Sequence, residues 1–173
     1  MKKVLIVSDT HGYSDLLNEL IKLVKPVNLL VHCGDVGYRG AREKLSYAAD
    51  CPVYLVSGNN DYGYDYPMLE RFRIEGHEVI VTHGHRQRVY YDLSPLYYFA
   101  EENGADIVMF GHLHMPVVQK DGGIILVNPG SLTYPRQSNG LPSYIIMTVE
   151  DDGALRFAVR YIKVTGHGLE ITG

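Results

Sequence analysis

Apolar residues fall along this chain in short runs, and run after run breaks off at Asp, Asn or His. Residues 3–8 are aliphatic and β-branched without alternation, which predicts a strand buried on both faces. Asp9-Thr10-His11-Gly12 follows at its carboxyl end. Residues 14–24 then place Leu16, Leu17, Leu20, Ile21 and Val24 at helical spacing, with Ser14 as the expected N-cap and Pro26 as the stop. A second strand over 28–33 runs into Gly34-Asp35. A helix over 41–49 follows, and a third strand over 53–56 runs into Ser57-Gly58-Asn59-Asn60-Asp61. Strand, helix, strand, helix, strand predicts a parallel sheet whose ligands lie outside the strands' carboxyl ends.

Later the spacing changes to hairpins. Residues 71–74 and 78–82 flank Glu75-Gly76-His77, and the second run ends in His83-Gly84-His85. Residues 93–103 predict a helix with Ser94-Pro95 as its cap and first-turn pair. A strand over 106–110 leads into Gly111-His112-Leu113-His114. Residues 117–119 and 124–127 flank the turn Asp121-Gly122-Gly123, Asn128-Pro129-Gly130-Ser131 reads as a turn, and 144–149 and 155–162 form another hairpin. The Gly-rich tail from Thr165 to Gly173 is expected to be loosely held. With no linker, repeat or low-complexity stretch, residues 1–173 read as one α/β (α+β) domain of two packed sheets with helices outside. Tyr62, Tyr64 and Tyr66, clustered after Asp61, fit either a loop lining the site or a partly exposed aromatic rim.

Composition narrows the classes. The 173 residues, 46 % hydrophobic and 21 % charged, suffice for a core of ordinary globular balance. A formal net charge of −4 gives no electrostatic footprint for nucleic acid. No apolar run is long enough for a membrane span, and Ser8-Asp9-Thr10-His11 interrupts the first one too early for a signal peptide, so a cytoplasmic protein is expected. Cys33 and Cys51 make no metal-site or disulfide pattern and read as small buried hydrophobes.

The polar residues at the strand ends carry the chemistry: Asp9, His11, Asp35, Asn59, His83, His112 and His114. Singly, such residues cap helices, shape turns or hydrogen-bond in loops. Jointly they exceed what one tetrahedral ion takes, and they suit two adjacent divalent ions sharing a carboxylate with positions left for water. The donors are oxygen and nitrogen without thiolate, which favours Mn²⁺, Fe²⁺, Zn²⁺, Ni²⁺ or Co²⁺ and does not choose among them. His112 and His114, two apart in extended chain, are expected to point the same way; so are Asp9 and His11, toward one ion. Asn59 would donate its side-chain oxygen.

The order Asp9-x-His11, Gly34-Asp35, Gly58-Asn59-x-Asp61, His83 and Gly111-His112-x-His114 resembles the calcineurin-like metallophosphoesterase superfamily. The short chain and Asn128-Pro129-Gly130-Ser131 resemble its small bacterial and archaeal phosphodiesterases of the YfcE type. The resemblance implies a four-layer αββα sandwich and a ligand arrangement: one ion on Asp9, His11 and His114, the other on Asn59, His83 and His112, with Asp35 bridging. Asp35, Asn59, Asn60 and Asp61 are the candidate catalytic residues. The sequence departs at Asn60, where many members carry His. Asn60 donates a hydrogen bond but no proton near neutral pH, so activated aryl phosphodiesters are expected to react well and alkyl monoesters weakly. His85 and Arg86 read either as helpers that bind phosphate or as hydrogen-bonding loop residues. The function the resemblance implies is a di-metal phosphodiesterase of a small-molecule diester, with Mn²⁺ expected first: two ions would neutralise the ester oxygens and supply a bridging hydroxide for in-line attack with no covalent intermediate, and a homodimer is possible. The alternative is a protein-interaction module, as in the eukaryotic retromer scaffold subunit that resembles this family.

Overall fold

A computed structural model of the chain describes residues 1–166 and 168–173. In chain order the elements are β1 (Lys2–Val7), α1 (Asp15–Val24), β2 (Leu29–His32), α2 (Ala41–Ala49), β3 (Val53–Leu55), β4 (Leu69–Ile74), β5 (His77–Thr82), α3 (Ser94–Asn103), β6 (Ile107–Met109), β7 (Pro116–Asp121), β8 (Ile124–Pro129), β9 (Ser143–Val149), β10 (Leu155–Thr165) and β11 (Gly168–Thr172). They form a six-stranded sheet in the order β11-β10-β9-β1-β2-β3 and a five-stranded sheet in the order β4-β5-β6-β8-β7. β1, β2 and β3 are mutually parallel, as are β5, β6 and β8, and the flanking strands are antiparallel.

Continuous apolar runs are required because both faces of the central strands are covered. In β1, Leu5 and Val7 pack against Leu17, Leu20 and Ile21 of α1 and Leu45 of α2. Val4 and Ile6, on the opposite face, meet Val79 and Val81 of β5 and Ile107 and Met109 of β6. Beyond the second sheet, Ile80, Val108 and Leu126 meet Leu96 and Ala100 of α3. Helices, sheet, sheet, helix: the four layers are those expected, and each buried large aliphatic side chain contributes on the order of 2 kcal/mol.

Local details differ from the expectations. Ser14 makes no side-chain cap at α1 and is itself near-helical in backbone angles. Asp92 takes the capping role at α3, where its Oδ1 accepts from the Ser94 amide and hydroxyl, both at 3.1 Å. Pairing with β7 carries β8 through Pro129, so the turn begins only at Gly130. Within the tail, β11 pairs with β10 from Gly168 to Thr172, and Leu169 packs on the outer core, so this segment is held. His167 lies outside the described residues.

Candidate metal centre

Parallel strands present their carboxyl ends to one edge of each sheet, and the two sheets bring these edges together. Asp9 follows β1, Asp35 follows β2, Asn59 follows β3, His83 follows β5, and His112 and His114 follow β6. The loops are laced by backbone bonds: the Asp9 amide donates to Gly34 O at 3.0 Å, His11 to Asp35 O at 2.8 Å, and Gly111 to His83 O at 3.1 Å. Two glycines make the approach possible. A Cβ on Gly58 would collide with the Asp35 carboxylate and amide, and one on Gly111 with the Ser8 hydroxyl.

His114 shares a centre with Asp9 and His11, but not through extended chain, and His112 turns its ring to that of His83. All four, and Asp35, have positive φ: 55° at Asp9, 46° at His11, 52° at Asp35, 69° at His112 and 59° at His114. Left-handed backbone, costly for a residue with a Cβ, turns the side chains inward where strand alternation was expected to.

Asp9, His11, Asp35 and His114 each offer a donor atom, and these atoms lie within 4.8 Å of one another. His83 Nε2 lies 3.5 Å from Asp35 Oδ2, the oxygen that His11 Nε2 approaches at 3.8 Å, and 3.2 Å from Asn59 Oδ1. The His112 ring packs on that of His83 with centroids 5.1 Å apart.

Proton positions test whether this set fits a cation. His114 Nδ1 lies 2.8 Å from Tyr134 O and His83 Nδ1 lies 2.7 Å from Cys33 O, so each Nδ1 carries hydrogen and donates. In the neutral tautomer the Nε2 lone pairs then face acceptors: His114 Nε2 is 3.0 Å from Asp9 Oδ1, which is buried and has no hydrogen-bond partner. Lone pair against lone pair calls for positive charge between them, and carbonyl-anchored imidazoles with carboxylates are what a divalent ion takes. The titration behaviour carries the same demand. Burial opposes charge on His83 and His114, yet the carboxylates of Asp35 and Asp9 raise both. Burial likewise opposes ionisation of Asp9 and Asp35, but the imidazoles of His114 and His83 outweigh it, with help at Asp35 from Asn60, and both carboxyls stay below their ordinary value. His112 is pushed down to about 4 by burial and by His83 beside it, leaving a neutral ring.

The remaining candidates sit differently. Asn60 donates from its backbone amide to Asp35 Oδ1 at 2.8 Å and from its side chain to Asp35 Oδ2 at 2.7 Å, so it grips the Asp35 carboxylate. Asp61, expected among the catalytic groups, is only 1 % exposed and spends its carboxylate on the amides of Val36, Gly37 and Gly58, clamping the loop after β2 to the loop after β3.

The sequence reading missed a supporting layer. His32, fully buried, accepts from the Gly34 amide on Nδ1 at 3.3 Å and so donates from Nε2 to Thr10 Oγ1 at 2.9 Å; burial pushes it down to about 4 and keeps it neutral. Thr10 passes its proton to Val36 O at 3.1 Å. Ser131 donates to Asp9 O at 2.9 Å, and Asn128 to Gly111 O at 2.7 Å. The one signal available was a polar residue, His32, inside the apolar run 29–33.

Comparison with known proteins adds to this geometry. The calcineurin-like phosphoesterase superfamily domain matches residues 1–152. The probable metallophosphoesterase YsnB of Bacillus subtilis is 34 % identical over 96 % of this chain and 94 % of its own. Phosphodiesterase YfcE of Escherichia coli is 28 % identical over 80 % and 84 %. Among solved structures, a predicted phosphoesterase from Streptococcus pneumoniae superposes with a TM-score of 0.79 at 27 % identity, covering 99 % of this chain and 97 % of that one. Vacuolar Protein Sorting 29 from Cryptosporidium parvum shares the fold, with a TM-score of 0.76 at 20 % identity over 99 % and 95 %.

Proposed function

The chain belongs to the calcineurin-like phosphoesterase superfamily, and on that premise we propose that it is a di-metal phosphodiesterase acting on a small phosphate diester in the cytoplasm. Asp9, His11 and His114 would hold one divalent ion and Asn59, His83 and His112 the other, with Asp35 shared; Mn²⁺ stands first. The observation that carries the reading is the buried, unpartnered Asp9 Oδ1 facing the His114 Nε2 lone pair beside the Asp35 carboxylate. Bound divalent ions supply charge neutralisation of the ester oxygens and a water ionised near neutral pH.

The chain's own residues do the rest. Cys33 and Tyr134 carbonyls fix the tautomers of His83 and His114. Asn60 orients Asp35, and Asp61 holds the two loops that carry Asp35 and Asn59. Tied to Asp35, Asn60 offers the leaving group no proton, which supports a preference for aryl over alkyl leaving groups. The shared fold of Vps29 keeps a second reading, a partner-binding module.

The test is hydrolysis of bis-p-nitrophenyl phosphate by chelator-stripped protein with Mn²⁺, Ni²⁺, Zn²⁺ or Mg²⁺ restored, beside Asp35→Asn. Metal-restored turnover that the variant loses is expected. A folded protein inactive with every metal would favour the partner-binding module.

A further inference from the structure

A cleft of about 380 Å³ opens directly beside the metal centre, between the loop after β3 and the loop after β5. Asn59 and His85 stand on the wall it shares with the site. Its volume lies within the ~300–1,000 Å³ of small-molecule sites. We propose that this cleft seats the nucleobase of a nucleoside phosphodiester, so that the substrate of the site described above is a nucleotide ester; the inference rests on that reading.

Three observations point to a planar, polar-edged group. Tyr62, Tyr64, Tyr66 and Met68 line the cleft with rings and a thioether. Tyr64 and Tyr66 are immobilised through their hydroxyls, which donate to Gly37 O at 3.0 Å and to Tyr38 O, and Arg39 covers the Tyr64 ring at 5.9 Å from its centroid. Tyr62 is 98 % exposed and makes no hydrogen bond among the described residues, a free ring at the cleft. Ring faces of this kind accept any base by stacking.

Arg86 supplies the edge contact. It is exposed and makes no hydrogen bond or ion pair among the described residues, leaving its guanidinium fork free at the cleft. Guanine presents adjacent N7 and O6 acceptors, which that fork matches. A single base is favoured over a strand because the chain's formal charge of −4 offers no track for further phosphates.

The experiment is calorimetric titration of the Mn²⁺-loaded full chain with GMP and with ribose 5-phosphate, which share the phosphate and sugar and differ by the base. GMP is expected to bind about tenfold more tightly, the scale of one stacked base. Tyr62→Ala and Arg86→Gln, which break no hydrogen bond of the described structure, should each bring that ratio toward one. Equal binding of the two ligands to the unaltered protein would overturn the nucleobase inference and leave the phosphodiesterase reading standing, since ribose 5-phosphate still reports the phosphate site. An unchanged ratio in both variants would overturn it too. Failure of both ligands to bind, together with no metal-restored turnover, would take down both.

Discussion

Asn60 holds the Asp35 carboxylate by two hydrogen bonds, one from the backbone and one from the side chain. Only the second is lost in Asn60→Ala. Partners of metal ligands are worth about 10–100-fold in metal affinity or activity. Asn60→Ala is therefore expected to raise the Mn²⁺ needed for half-maximal activity by about tenfold or more, read by metal titration of the stripped protein. An unchanged metal requirement would remove Asn60 from this role. Gly58→Ala makes a harsher test, because its Cβ would displace Asp35 itself. Its φ is not positive, so crowding is its whole effect, and loss of metal binding in a folded protein is expected by calorimetry. At this scale the identities of Asp9, Asp35 and His114 were legible as polar breaks in apolar runs. The reason they converge was not. Their placement depends on left-handed backbone held by partners distant in sequence, such as Ser131, whose hydroxyl reaches Asp9 O. Asp61 shows the converse: its motif position pointed to chemistry, and its contacts are three backbone amides.

The elements themselves were readable wherever burial imposed a pattern. β1 buries both faces, so its run is unbroken; α1 buries Leu17, Leu20, Ile21 and Val24, so its spacing is helical. β11 escaped because an exposed edge strand needs no apolar run, and only its pairing with β10 defines it. The β9–β10 hairpin is anchored to the second sheet by His77, at the start of β5. Its Nδ1 meets Asp106 Oδ2 and its Nε2 lies 2.8 Å from Gly153 O. Both partners accept, so both nitrogens carry hydrogen and the ring is cationic. Burial works against that charge, but the Gly153 carbonyl and the Asp106 carboxylate raise the folded-state pKa above 6.5. A group raised in the folded state stabilises fully below its unfolded pKa and loses that contribution as pH rises through the folded value. His77→Gln should therefore lower the unfolding free energy by ~1 kcal/mol at pH 6 and by less at pH 9, measured by urea denaturation. An equal loss at both pH values would contradict a charged His77.

For the molecule as a whole, the candidate ligands come from both sheets: Asp9, His11, Asp35 and Asn59 from one, His83, His112 and His114 from the other. Metal bound there would bolt the two layers together at one edge. At a hundredfold excess over its dissociation constant an ion stabilises the folded state by about 2.7 kcal/mol. For a chain of this size that is ~5–10 °C in Tm. Scanning calorimetry with Mn²⁺ and with chelator should show that rise, and Asp35→Asn should abolish it. Among the described residues no helix is long and apolar enough to cross a membrane. The backbone angles at the site reach further, into descent. Each of the five left-handed ligands costs about 1–2 kcal/mol that a glycine would not. Glycine gives back roughly 0.5–1 kcal/mol through its looser unfolded chain, so on backbone terms alone the exchange is neutral or better. The side chains add bonds of their own, such as the two that Asp35 accepts from Asn60. A lineage released from selection at this site would keep its folding only where the relaxed backbone returns what those lost bonds cost.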